Sequence, residues 1–182
     1  SINPFDFAGK RFDYIIGNPP YMKTEDIKNL TPIEHKIYPK LFKSAYKQYD
    51  KYFLFIERAL QLLKEDGKLG YIVPSKFMKV GAAQELRRII ADGGYLQSIL
   101  SFGAFQVFSD KSTYTCILVL NKKKNITFRF AEVEDFKAWR VRNRNAVSMS
   151  ERDAFCISED TWVLCSDEHQ ALFNKIWKKS VP

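Results

Sequence analysis

Asn18-Pro19-Pro20-Tyr21 sets one amide, two prolines and one aromatic ring directly after an apolar run, Asp13-Tyr14-Ile15-Ile16-Gly17. Those residue types suit one chemical purpose, which is holding a planar amino group that is to be alkylated. Such a nitrogen carries two hydrogens and needs two acceptors. The side-chain oxygen of Asn18 supplies one and the backbone carbonyl of Pro19 the other. Proline fixes its own backbone and has no N–H to compete for an acceptor. Two aimed acceptors hold the nitrogen with its lone pair facing an electrophile, which is catalysis by positioning and electrostatics. Tyr21 adds a ring on which a heterocycle stacks, worth about 1–3 kcal/mol per base. No general base is required before attack. The purely structural alternative is a rigid strand-ending turn with a core tyrosine.

A clamp of this kind is positioned by the carboxyl end of a strand in a parallel sheet. Phe12 to Gly17 reads as that strand, apolar on both faces. Residues 22–48 have no clean period, but Lys36, Lys40, Lys43, Lys47 and Lys51 recur every three or four residues. On a helix they form a basic stripe or a solvated face. Asp50 caps a helix with Tyr52, Phe53, Ile56, Ala59 and Leu60 on its apolar face, ended at Glu65-Asp66-Gly67 with Gly67 left-handed. Lys68 to Val73 is a second buried strand, stopped by Pro74. A second helix runs from about Gly81 to Ala91, its Arg87 and Arg88 read as a solvated face. Leu96 to Phe102 and Tyr114 to Leu120 are strands whose connection fits an elaborated hairpin, hence antiparallel. The order is that of an α/β sheet of about four strands, the last pair antiparallel, with no βα unit before the first strand. It reads as half of a doubly wound sheet.

After Asn121 the composition shifts. Lys122-Lys123-Lys124 marks a boundary, so the expected units are residues 1–121 and residues 122–182. Ile126 to Val133 alternates like a strand, Arg140, Arg142 and Arg144 alternate on a polar stretch, and Asp167 to Lys178 reads as a terminal helix.

The 182 residues are 46% hydrophobic and 27% charged, enough for one domain with its own core. The net charge of +8 favours a polyanionic partner. Three cysteines, Cys116, Cys156 and Cys165, have no C-x-x-C spacing and suit a reducing cytoplasm, with Cys116 as inert core. The two histidines, His35 and His169, are far apart and have no ligand-spaced neighbours, so neither a metal site nor a Ser-His-Asp triad is expected. No apolar run approaches the length that crosses a bilayer, and no membrane partner is expected.

The run Asp13 to Tyr21 resembles the catalytic motif of adenine-specific DNA methyltransferases, most closely the branch in type I and fused type II (IIG) restriction–modification enzymes. The stretch from Asp50 to Leu60 is similar to that family's next helix. Gly67 to Phe77 is similar to the strand and proline turn that follow, and Leu86 to Ile90 to the helix after it. Gln106 to Thr113 resembles the loop whose aromatic packs on the second face of the extruded adenine. The likeness covers roughly residues 10–121. Thr161 to Leu164 and the following helix look like the lead-in to a target-recognition domain.

The resemblance implies a fold and a set of roles. The fold is the C-terminal half of a Rossmann-like, S-adenosylmethionine-dependent methyltransferase plus a short tail. Asn18 and Pro19 hold the amino group, with Pro20 and Tyr21 completing the catalytic motif; Tyr21 stacks on one face of the base and Phe108 on the other, and Phe55 is a weaker candidate for the pocket wall or the cofactor side. The partners are double-stranded DNA and the remainder of the parent polypeptide. The base must leave the duplex to be reached. The glycine-rich turn that grips S-adenosylmethionine in that family has no counterpart here, so the chain is expected to be an inactive catalytic-half fragment. Its first strand is expected to be an exposed edge open to edge-strand dimerisation. The same tetrapeptide also suits methyl transfer to a protein glutamine or an RNA base, and a third reading is a non-catalytic nucleic-acid-binding module.

Overall fold

The computed structural model describes residues 7, 9–108, 113–141 and 147–165. Six strands form one mixed sheet: β1 (Phe12–Gly17), β2 (Leu63–Pro74), β3 (Leu96–Ser101), β4 (Thr115–Asn121), β5 (Thr127–Glu132) and β6 (Ser150–Asp153). Among the described residues five α-helices accompany them: α1 (Thr24–Leu30), α2 (Pro32–Leu41), α3 (Lys51–Leu62), α4 (Gln84–Asp92) and α5 (Phe136–Arg140). The order across the sheet is β1-β2-β4-β3-β5-β6. β1 runs parallel to β2 and β3 to β5, while β4 is antiparallel to both β2 and β3. The carboxyl ends of β1, β2, β3 and β5 therefore share one edge. Among the described residues no helix is long and apolar enough to cross a membrane.

The pleat explains the core. Leu69, Tyr71 and Val73 of β2 alternate with half-buried residues and pair with Leu120, Leu118 and Cys116 of β4. These six are buried in one cluster with Tyr52, Phe53 and Ile56 of α3 and Leu86 and Ile90 of α4. Each large side chain removed from water contributes about 1.5–3 kcal/mol. Burial pushes the Cys116 thiol up to about 12, as an inert core residue requires.

Four expectations change. The sheet has six strands rather than four, because β5 extends it beside β3, from Ser98↔Arg129 to Ser101↔Glu132, and β6 pairs with β5. The helix before β2 stops at Leu62, and the next residues already belong to β2, with a register shift opposite Phe12 and Tyr14. The left-handed residue there is Asp66 (φ 62°) and not Gly67. Gly67 is needed for another reason: a Cβ would stand 2.9 Å from the Lys64 carbonyl and 3.0 Å from that of Phe12. The lysine stripe does not lie on one helix, since α2 ends at Leu41 and Lys51 opens α3, where it pairs with Glu34 at 2.7 Å.

The fourth change concerns Arg87, which is buried rather than solvated. Its guanidinium donates to the carbonyls of Phe77 (2.7 Å), Val80 (2.8 Å) and Glu159 (2.9 Å). It fastens the turn after β2 to the tail. Trp162 completes the join: its backbone N–H donates to Met78 O (2.8 Å) and its ring meets Phe77 edge-on. The helix expected at Asp167–Lys178, together with Arg142 and Arg144, lies outside the described residues.

Arg87→Leu strips three carbonyls of a charged donor and is expected to lower the unfolding free energy by about 3 kcal/mol. Arg88→Ala removes half-exposed pairs with Glu85 (2.7 Å) and, more loosely, Glu159 (3.9 Å) and should change it by less than about 0.5 kcal/mol. Urea denaturation at unchanged m-value reads both; equal effects would contradict the fastening role of Arg87.

Candidate active site

The ladder between β1 and β2 ends at Gly17↔Tyr71. Asn18 and Pro20 beyond it are exposed, and Pro19 is buried. The chain is then tied down. Tyr21 donates its hydroxyl to Ile72 O (2.9 Å) and meets the Tyr52 ring edge-on at 6.1 Å. Tyr52, fully buried, donates to Pro74 O (3.1 Å). Met22 O accepts from Lys51 N (2.8 Å), Thr24 N donates to Tyr49 O (3.0 Å), and Lys23 bridges to Asp50. The tetrapeptide is thus anchored on β2 and on the start of α3. Burial, with a smaller contribution from Cys116, raises the Tyr21 phenol to about 12, so it stays a neutral donor.

A cleft of about 710 Å³ opens beyond the shared carboxyl ends of the strands. Tyr21 lies on its wall after β1, Pro74 and Lys76 after β2, Gly103 after β3 and Glu132 at the end of β5. Asp50, the residue before α3, makes no capping bond with its side chain. Its carboxylate accepts instead from Lys76 Nζ at 3.0 and 2.8 Å. Burial raises the Asp50 pKa, and Lys76 and then Lys23 pull against that shift.

The sequence-derived residues do not all meet in this cleft. Phe108 is half-buried on the loop after β3, whose roots at Gly103, Ala104, Thr113 and Tyr114 line the cleft. Phe55 lies elsewhere. With Tyr14, Ile16, Ala59 and Tyr71 it lines a separate groove of about 350 Å³ between α3 and the outer edge of β1. Sequence reasoning missed an aromatic support under the loop. Phe105 stacks on Phe136 (5.6 Å, 16°), and Trp139 packs on Phe136 and edge-on against Phe102 (4.8 Å). The signal was present as Phe136 and Trp139, three apart and hence on one face of a short helix.

An S-adenosylmethionine molecule needs partners for its ribose hydroxyls and amino-acid group as well as an apolar wall. The groove at Phe55 is lined almost wholly by apolar and aromatic side chains, with Arg58 the one charged residue and no carboxylate. The residues of this groove do not fit the whole cofactor.

Residues 2–108 match the model of the Eco57I restriction-modification methylase family. This chain belongs to that family. It is 53% identical over 164 residues to the type II restriction enzyme and methyltransferase RM.Eco57I of Escherichia coli, across 90% of this chain and 16% of that one. The chain thus spans about a sixth of that relative. Two solved structures share the fold. One is a nuclease-deletion mutant of the Type ISP restriction-modification enzyme LlaGI in complex with a DNA substrate mimic (TM-score 0.60, 18% identity, 88% of this chain and 19% of that one). The other is a putative class I S-adenosylmethionine-dependent methyltransferase from Listeria monocytogenes (TM-score 0.57, 18% identity, 77% and 42%). The family match covers all of β1 to β3 and the loop as far as Phe108.

Tyr21→Phe keeps the ring and loses the bond to Ile72, an expected cost of about 1 kcal/mol at neutral pH. The phenol titrates near 10 when unfolded and at about 12 when folded. The stability it contributes is therefore complete below pH 10 and is lost as the pH rises through 12. Chemical unfolding across that alkaline range should show a steeper decline for the wild type than for the variant; parallel profiles would contradict a phenol held neutral by burial.

Proposed function

We propose that this chain is the catalytic half of an adenine-specific DNA methyltransferase within a larger restriction–modification enzyme. The observation that carries this reading is the Asn18-Pro19-Pro20-Tyr21 tetrapeptide, released from the sheet at a carboxyl edge and fixed beside a cleft by the Tyr21–Ile72 bond. Asn18 Oδ1 and Pro19 O accept the two hydrogens of the adenine amino group, and Pro20 keeps the turn rigid. Tyr21 stacks on one face of the extruded base and Phe108 on the other, offsetting part of the unstacking cost. S-adenosylmethionine, when bound, supplies the electrophilic methyl group. Its polar grip comes from polypeptide outside this chain, and Phe55 lines the side from which it approaches.

The outer edge of β1 supports that assignment. Among the described residues no strand pairs with it, and Tyr14 and Ile16 are 71% and 85% exposed. A parallel strand of the remaining polypeptide seated there covers both side chains and the groove beside Phe55. In isolation the same edge pairs with a second copy. Residues 1–121 form the catalytic half, and residues 122–182 lead toward the target-recognition region, with β5 and β6 carrying the sheet part of the way.

In the full-length protein, Asn18→Ala is expected to abolish methylation of duplex DNA, by at least about 10²-fold, with DNA binding retained. Normal methylation by that variant ends the catalytic assignment. Methylation of a protein glutamine or an RNA base in place of DNA redirects it. The isolated 182-residue chain should show neither methyl transfer nor micromolar affinity for S-adenosylmethionine by calorimetry, and micromolar binding there would refute the split of cofactor and clamp.

A further inference from the structure

The catalytic reading leaves one charged feature of the cleft unused. Lys23, Lys76 and Lys79 all line the cavity that Tyr21 faces. Lys23 and Lys76, with Asp50, also line an adjoining cavity of about 610 Å³, which adds Lys28 and Glu25. These lysines thus stand where the two cavities meet. The charge is one-sided: the acidic residue on the β5 wall, Glu132, lies beside Ser101 (3.4 Å) and Gly103, at the ends of other strands.

We propose that Lys23, Lys76 and Lys79 are a phosphate-binding ridge for the DNA strand whose base enters the Tyr21 cleft, with Asp50 as the residue that positions Lys76. The inference rests on the functional reading above. An ammonium has three N–H donors. Asp50 takes Lys76 at two short contacts from below, while the Lys76 side chain remains 39% exposed above. That pair is neutral as a unit, so its contribution is a fixed donor; Lys23 and Lys79, both exposed, supply the net positive charge.

The turn that carries Lys76 and Lys79 is held from every side. Ser75 N donates to Tyr114 O (2.9 Å), Tyr52 holds Pro74 O, Arg87 holds the carbonyls of Phe77 and Val80, and Trp162 N donates to Met78 O. A donor pre-set in this way loses little conformational freedom on binding. The arrangement also divides the work. The phosphodiester lies along the lysine ridge, and the base turns away from it toward Tyr21.

The test measures affinity of the full-length protein for a short oligo-deoxyadenylate, whose bases are already unpaired, against sodium chloride concentration. Each of Lys23→Gln, Lys76→Gln and Lys79→Gln should weaken binding about tenfold near 0.1 M salt and take about one unit from the slope of log K against log salt. Lys76→Arg should restore most of the loss. An abasic oligomer of the same length should keep the lysine dependence while losing the Tyr21 contribution. Unchanged slopes in all three glutamine variants overturn the proposal. So does wild-type binding by the double variant Asp50→Asn, Lys76→Gln, since Lys76 would then only neutralise Asp50. A lysine-dependent slope for oligo-riboadenylate alone also overturns it. Asn18→Ala separates the two claims: methylation by that variant defeats the catalytic reading, whereas the salt slopes judge the ridge.

Discussion

A parallel ladder that runs into two prolines has nothing further to pair with, and the rest of the site follows from that. Up to Gly17 the inner edge of β1 pairs with β2. At Pro19 and Pro20 the donors are gone. The segment leaves the sheet at its carboxyl edge, and other anchors must hold it. They are the hydroxyl of Tyr21 on β2 and the short backbone bridge from Met22–Thr24 to Tyr49–Lys51. The same bridge sets the start of α3, and with it Asp50 and Lys76. One local inability to pair thus arranges Asn18, Tyr21 and the buried Asp50 carboxylate at one end of the sheet.

The second constraint is the buried guanidinium of Arg87. A charge in the interior is tolerable only when its donors are met. Three carbonyls from two separate segments meet these. The turn after β2 and the residues around Glu159 are therefore held by one side chain. A loop that would otherwise be the most mobile part of a cleft is instead a rigid part of it.

Much of this was legible in the sequence, for identifiable reasons. β1, β3, β4 and β5 are short apolar or alternating runs bounded by breakers, and all four fall within a residue or two of where the pattern places them. β6 was not legible. Ser-Glu-Arg-Asp has no apolar alternation, and the strand exists through backbone pairing with β5 at the far edge. Arg87 was misread because charge was weighed above period: it lies with Leu86 and Ile90 on the buried face of α4. The lysine stripe failed because its spacing crosses the end of α2. Asp50 was recognised as a cap by position, yet its carboxylate serves a lysine far away in sequence, which no local pattern encodes. The clearest signal was the tetrapeptide's place directly after β1, because two prolines end a ladder where they stand.

The tail brings a consequence for modular exchange. Trp162 is buried under the turn after β2, and Leu164 reaches the cleft wall. The stretch from Ser158 to Leu164 thus packs against the turn after β2 and the cleft, although it lies beyond residue 121 in sequence. A chimaera joined at the lysine run near residue 122 would take Glu132 and Leu164 from one parent and the rest of the cleft lining from the other. A junction placed after Cys165 keeps Trp162, Leu164 and the bond from Arg152 to the Cys165 carbonyl (2.9 Å) together with this sheet.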